Sequence, residues 1–290
     1  MKTHVEFPVL GIDLTMNRRL IEFNALGGGI YYYAVIICLG FILAWLYINH
    51  KEKKSGFNKE PILDMVLYAV PVAIICARAY YVLFSLESYK DNWIDIFKIW
   101  NGGIAIYGGV IGAMLTVFIY CRVKKLPVLH YLDLASMGLM IGQIVGRWGN
   151  FVNGEAHGKI CSPDFFLGMR INGAGPFHPT FLYESSLNLI GFVILHFLCK
   201  KFRFDGFALS FYLIWYGFVR FFVEGLRTDS LYFFETGIRT SQALSFVLFI
   251  AGILLLLLTA KKERQKKKRI GYKKDLKKRE SSCILKKRRF

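Results

Sequence analysis

LHYLDLASMGLMIGQIVGRWGNF, Leu129 to Phe151, is an almost continuous apolar run that closes on an arginine and an asparagine. About 20 such residues, wound as a helix, cross the hydrocarbon of a bilayer. Lipid offers the backbone no hydrogen-bond partner, so a segment of this kind is stable there only as a helix that satisfies its own N–H and C=O groups. Six further runs have the same character: Ile30 to Asn49, Ile62 to Phe84, Gly103 to Cys121, Phe181 to Cys199, Gly206 to Gly225 and Thr240 to Ala260. The reading is an all-α polytopic membrane protein of seven transmembrane helices. Composition agrees, since 54% of the 290 residues are hydrophobic and 16% aromatic, with a mean hydropathy of +0.39.

Lysine and arginine in the connections set the orientation. HKEKKSGFNKEP holds four Lys, while RVKKLP and KKFRF hold three basic residues each, and all fall on one side of an alternating seven-helix path. The longer loops of the opposite side hold two each. Positive charge stays cytoplasmic, which places the N-terminus outside and the C-terminus in the cytoplasm. Three regions follow: an external N-terminal segment, 1–29, a transmembrane catalytic region, 30–260, and a basic cytoplasmic tail, 261–290, read as disordered. The first segment lacks the apolar stretch and small-residue cleavage site of a removable signal peptide.

The tail has 16 Lys/Arg against 3 Asp/Glu and accounts for most of the formal charge of +18. Its role is read as fixing topology and meeting anionic headgroups rather than binding nucleic acid. Six cysteines contain no CxxC pair, and only Cys161 lies in an external loop. Neither a disulfide framework nor a metal site is expected.

Ionisable residues in membrane helices are expensive and mark sites or pathways. Arg78, Arg147 and Arg220 all approach the outer end of their spans. For Arg78 alone, snorkelling to the headgroups competes with a site role. In the sixth span Tyr216, Arg220, Glu224 and Arg227 recur at helical spacing, so one face of a lipid-embedded helix is polar. In the fourth, Gly138, Gly142 and Gly146 recur every four residues, the pattern that lets helix backbones touch. Such contact holds Arg147 and Asn150 at the helix end, where Asn153 and Glu155 begin the next loop. Tyr107, between paired glycines in NGGIAIYGGVIG, is either an interfacial anchor or a proton-handling hydroxyl. The stretch HPTFLYES adds His178, Tyr183 and Glu184, with Pro179 suited to a helix start. Guanidinium groups gathered at one level suit a phosphate, to which they present planar bidentate donors. The residues therefore imply recognition of an anionic phospholipid headgroup.

WNGGIAIYGGVIG, GRWGNFVNGEAHG, HPTFLYES and YGFVRFFVEGLRTD, in this order along the chain, resemble the prolipoprotein diacylglyceryl transferase family over about Tyr32 to Ala260. The resemblance implies transfer of a diacylglyceryl group from phosphatidylglycerol to the lipobox cysteine thiol of an exported preprolipoprotein, with release of glycerol phosphate. It also implies a bacterial cytoplasmic membrane, a site toward the external leaflet, and no cofactor. Carried over by position, the family's lipid-binding arginine falls on Arg147, with Asn150, Asn153, Glu155 and Gly158 completing the motif. Tyr216 and Arg220 take the functional positions of the sixth span, followed by Glu224. YYYAVIICLGF resembles the family's first-span motif and places its tyrosine on Tyr33, although Ala34 replaces a glycine. Tyr107 stands where some members carry a histidine assigned as the base. Tyr107, Arg220 and Tyr216 are thus the expected catalytic residues, and Arg147, Asn150, Asn153, Glu155, Gly158, Tyr33, Arg78 and Glu224 the expected phosphatidylglycerol contacts. The competing reading, a transporter or channel for an anionic solute, would carry charges throughout the depth of its spans and an internal repeat, which this sequence lacks.

Overall fold

A computed structural model describes residues 2–23, 28–55, 60–90, 92–99, 102–228 and 239–287. Seven long helices are α1 (Tyr32–Ser55), α2 (Glu60–Phe84), α3 (Ile106–Val123), α4 (Val128–Asn153), α5 (Thr180–Lys201), α6 (Phe207–Leu226) and α7 (Thr240–Lys287). Six of them are long and apolar enough to cross a membrane, and α3 contributes a shorter apolar helix, Tyr107–Val123. At 1.5 Å per residue, 17 residues reach only about 26 Å. The third span was expected from Gly103. Gly102 and Gly103 instead adopt φ of +88° and +76°, a conformation open mainly to glycine, and they turn the chain before the helix begins. The loop joining α6 to α7, expected on the external face, lies largely outside the described residues.

The expectation of an all-α fold is corrected by two small sheets. Strands β1 (Lys2–Phe7), β2 (Ile12–Asn17), β5 (Met169–Ile171) and β6 (Ala174–Phe177) form one sheet in the order β2-β1-β5-β6, while β3 (Arg19–Phe23) and β4 (Gly28–Tyr31) form a second. Strand β1 alternates exposed and buried residues, as expected of a sheet with one covered face. Its covered side supplies Val5 and Phe7 to a core with Phe151, Met169, Ile171 and Phe181. Within the 1–29 segment, strand β1 therefore packs on the ends of α4 and α5. At the other terminus, residues 261–287 continue α7 where an unstructured tail was expected. Lys, Arg, Glu, Gln and Leu are good helix formers, no proline follows Ala260, and a helix already nucleated in the span extends at little cost.

The chain divides into two compact units, Met1–Phe41 with Leu139–Phe290, and Ile42–Gly138. In the first, α6 and α7 meet through glycine: a Cβ on Gly217 would stand 2.6 Å from the Ser245 carbonyl, and one on Gly252 2.8 Å from Ile214. The expected close approach of α4 is present as well. A Cβ on Gly146 would lie 3.2 Å from Ile37, and one on Gly40 of α1 would lie 3.6 Å from the Gly142 Cα. In the second unit Ile62, Met65, Cys121, Tyr131 and Leu134 form the core. Gly112 of α3 packs on Cys76 of α2, leaving 2.7 Å to the Cys76 Cβ for any added methyl. Gly108 and Gly112, after Tyr107, thus serve helix packing. Two polar pairs in this unit escaped sequence analysis: Tyr120 donates to Asp64 at 2.7 Å, and His130 faces Glu52 at 3.2 Å.

Candidate active site

In the larger unit the ends of α4, α5 and α6 converge on Glu184. Its side chain is 3% exposed, and a carboxylate so placed requires cationic partners. Three arginines supply them. Arg147 Nη2 pairs with Oε2, while Arg220 Nη1 lies 2.6 Å and Arg227 Nη1 3.8 Å from Oε1. The other edge of the Arg220 guanidinium meets Glu224 Oε2 at 2.6 Å, one helical turn along α6. Three guanidinium groups against two carboxylates leave a net positive charge in a site where all five side chains are mostly shielded from solvent. Such an arrangement attracts an anion and holds it with fixed donors.

The loop after α4 is built onto this cluster. Arg147 Nη1 donates to Asn150 Oδ1 at 3.4 Å, and the amides of Asn150 and Asn153 each donate to Glu155 Oε1 at 3.1 Å. Gly158 then pairs with Arg227 as an isolated β-bridge, and its N–H donates to the His178 carbonyl at 2.8 Å. A Cβ at Gly158 would stand 2.7 Å from the His178 Cβ. Gly158→Ala should therefore push the bridge apart and misplace Arg227. The expected outcome is a fall of roughly tenfold in turnover with a lowered melting temperature, since overpacking of this kind costs about 1–3 kcal/mol. Unchanged activity would separate this bridge from the site.

Aromatic packing fixes the helix ends. Phe151 stacks on Phe181 with centroids 4.5 Å apart, and Trp148 meets Phe181 edge-on at 5.5 Å. Gly149 leaves room for Tyr33, whose Cδ2 would be 2.7 Å from any Cβ there. Tyr216 lies four residues before Arg220 and stacks on Tyr212 at 5.6 Å. The structure thus brings together Arg147, Asn150, Asn153, Glu155, Gly158, Tyr216, Arg220 and Glu224, and sets Tyr33 on α4 beside them.

Two expected site residues belong to the smaller unit. Arg78, 7% exposed, donates to the carbonyls of Asp95, Ile96, Gly102 and Gly103 at 2.6–2.8 Å. It ties down the loop that leads into α3. Tyr107 opens that helix, its ring 6.4 Å from Tyr80.

Glu184 and Arg239 join the cluster without having been expected in the site. Arg239 Nη1 reaches the Glu224 carbonyl and, at 3.4 Å, that of Arg227, holding the end of α6. The signal for Glu184 was a carboxylate within an apolar helix, masked by its nearness to a helix start. His178 faces the Tyr183 hydroxyl through Nδ1 at 3.2 Å. Elsewhere His4, Glu6 and Asp13 bring possible ligand atoms within 4.8 Å of one another on the N-terminal sheet. Each imidazole nitrogen there faces a carboxylate, at 3.4 Å to Glu6 on the same strand and at 2.7 Å to Asp13 on the neighbouring one.

Fold and site define a multi-pass membrane protein with a shielded cluster of arginines and glutamates at the ends of α4, α5 and α6. The family model for prolipoprotein diacylglyceryl transferase matches residues 21–258. The chain is 45% identical over 233 residues to phosphatidylglycerol–prolipoprotein diacylglyceryl transferase 1 of Clostridium perfringens, covering 77% of this chain and 87% of that one. It is 42% identical over 246 residues to the enzyme of that name from Enterococcus faecalis, with 81% and 88% covered. With the one from Streptococcus equi subsp. zooepidemicus it shares 46% over 233 residues, with 78% and 89% covered. This chain belongs to the prolipoprotein diacylglyceryl transferase family.

Proposed function

We propose that this protein transfers the diacylglyceryl group of phosphatidylglycerol to the lipobox cysteine thiol of a preprolipoprotein, forming a thioether and releasing glycerol phosphate. The observation that carries the reading is the convergence of Arg147, Arg220 and Arg227 on the buried Glu184, with positive charge in excess. In the reaction the cysteine sulfur attacks the glycerol carbon that bears the phosphate ester. The C–O bond breaks with its electron pair on oxygen, and the thiol proton is taken up by a base. The phosphate passes from one negative charge to two, so donors already fixed around it favour the transition state over the bound lipid. The displacement involves no change of oxidation state and requires no organic cofactor or metal.

Arg147 and Arg220 are assigned to the phosphate, with Glu184 and Glu224 holding their guanidinium planes. Asn150, Asn153, Glu155 and Gly158 shape the loop that receives the headgroup, and Tyr33 and Tyr216 flank it. Arg78 acts by fixing the loop before α3 rather than by meeting the lipid directly. Tyr107 orients the thiol or accepts its proton. Seven spans with the N-terminus outside follow from the basic loops, and the site then faces the external leaflet of the bacterial cytoplasmic membrane. A signal peptide delivers its cysteine from that side.

The test is incubation of the purified protein with phosphatidylglycerol vesicles and a lipobox peptide. Mass spectrometry should find the diacylglyceryl adduct on the cysteine and an equal amount of glycerol phosphate; an unmodified peptide would refute the assignment. The nucleophile belongs to the substrate. Cys161, whose thiol burial pushes up from its ordinary pKa, is ill suited to act as a thiolate. Cys161→Ala should retain turnover within about twofold, since a change remote from the reacting groups alters rate little. Its loss would reveal a covalent intermediate on the enzyme.

A further inference from the structure

Away from the arginine cluster, one turn along α4 and α5 and two turns along α6, the helices carry a second polar group that bears no charge. Gln143 precedes Arg147 by four residues on α4, Asn188 follows Glu184 by four on α5, and Tyr212 precedes Tyr216 by four on α6. The Ser185 hydroxyl of α5 donates to the Ile144 carbonyl of α4 at 2.8 Å. With Arg147 paired to Glu184, this contact makes α4 and α5 antiparallel, so the steps on these two helices lead the same way, each by about 6 Å. Gln143 Nε2 donates to Tyr212 Oη at 2.9 Å. Asn188 is 2% exposed. Neither its Oδ1 nor Gln143 Oε1, both buried, has a hydrogen-bond partner.

Buried polar atoms in proteins are nearly always paired, and those that are not call for a ligand or a specific role. Neither the phosphate nor the ion pairs above use these two amides. We propose that Gln143, Asn188 and Tyr212 form a recognition site for the ester carbonyls of the lipid's glycerol backbone. This rests on the reading that the arginines hold the phosphate. In a phosphatidylglycerol so held, the polar atoms that follow toward the acyl chains are the two ester groups, about one helical turn deeper. Ester carbonyls are acceptors. A half-turn of an amide exchanges its oxygen and nitrogen with almost no change of shape, so Gln143 and Asn188 present N–H donors to them. Gln143 turned this way accepts the Tyr212 hydroxyl proton through Oε1. In water-poor surroundings, losing a partner for such a group weakens binding more than the gain of an average hydrogen bond would suggest. The site selects diester over diether lipids.

The experiment measures binding of diacyl phosphatidylglycerol and of its dialkyl-ether analogue to the full-length protein in nanodiscs, alongside transfer from each to a lipobox peptide. The native protein should bind the diester about tenfold more tightly, the worth of one to two well-placed hydrogen bonds. In Gln143→Met combined with Asn188→Leu that ratio should fall to about one with the ether affinity unchanged, and Tyr212→Phe, which keeps the ring, should lower it about threefold. A ratio near one in the native protein, or the same ratio in Tyr212→Phe and the double variant, overturns the proposal and leaves a water-filled pocket. If transfer fails with both lipids while the binding preference behaves as described, the transferase reading falls and this site stands.

Discussion

Glu184→Gln should lower kcat for diacylglyceryl transfer by roughly a hundredfold or more while KM for phosphatidylglycerol stays level or falls. The carboxylate is the common partner of Arg147, Arg220 and Arg227. Glutamine keeps its shape and removes its charge. Three guanidinium groups then repel one another with only Glu224 left as a counter-charge, and the donors no longer meet the leaving phosphate in fixed positions. Breaking a buried ion pair by removing one partner costs about 3–5 kcal/mol, and about 1.4 kcal/mol is tenfold in rate. Ground-state affinity does not suffer, because the site becomes more cationic. That split between kcat and KM distinguishes a positioning role from general unfolding, which would lower the active fraction and the melting temperature together. A folded Glu184→Gln protein with ordinary kcat would show the hub to be structural.

Arg147→Lys should fail nearly as badly as Arg147→Ala, each by about a hundredfold, or about 3 kcal/mol of transition-state stabilisation. Arg147 already commits one nitrogen to Glu184 and another to Asn150. Its planar fork still has N–H groups left for a phosphate oxygen, whereas a lysine ammonium is a compact charge that cannot reproduce the fork. The lysine variant should insert and fold normally, because charge and stem are kept. Transfer by membrane-inserted Arg147→Lys at more than a third of the native rate would argue that bulk positive charge is sufficient.

The helices were legible because hydrocarbon imposes a length and a composition on each span, and α1, α2, α4, α5, α6 and α7 satisfy both. So was much of the site, since Tyr216, Arg220 and Glu224 repeat every four residues along α6 and ion-paired residues stand out in an apolar helix. The sheets were not. Strands β5 and β6 have three and four residues, too short for alternation to register. Strand β5 pairs with β1 through Val5↔Ile171, a contact between distant parts of the chain that no local pattern announces. Glu184 was hidden for another reason. Five residues after a proline, a glutamate reads as part of a helix N-terminus, and only the three-dimensional path shows that α4 and α6 deliver arginines to it. The amides of Gln143 and Asn188 are single polar residues in long spans, visible only once their missing partners are. Arg78 illustrates the converse, a charge that sequence places at a site and that the structure binds to four backbone carbonyls.

The central claim is that the arginine cluster around Glu184 holds the phosphate of the lipid substrate. A structure of the protein in nanodiscs with phosphatidylglycerol bound tests it most directly. The phosphate should lie within hydrogen-bond distance, about 2.7–3.2 Å, of both Arg147 and Arg220, with Glu184 still paired to at least one of them and the ester groups level with Gln143 and Asn188. A phosphate bound elsewhere, with Arg147, Arg220 and Arg227 all still turned to Glu184, would contradict it.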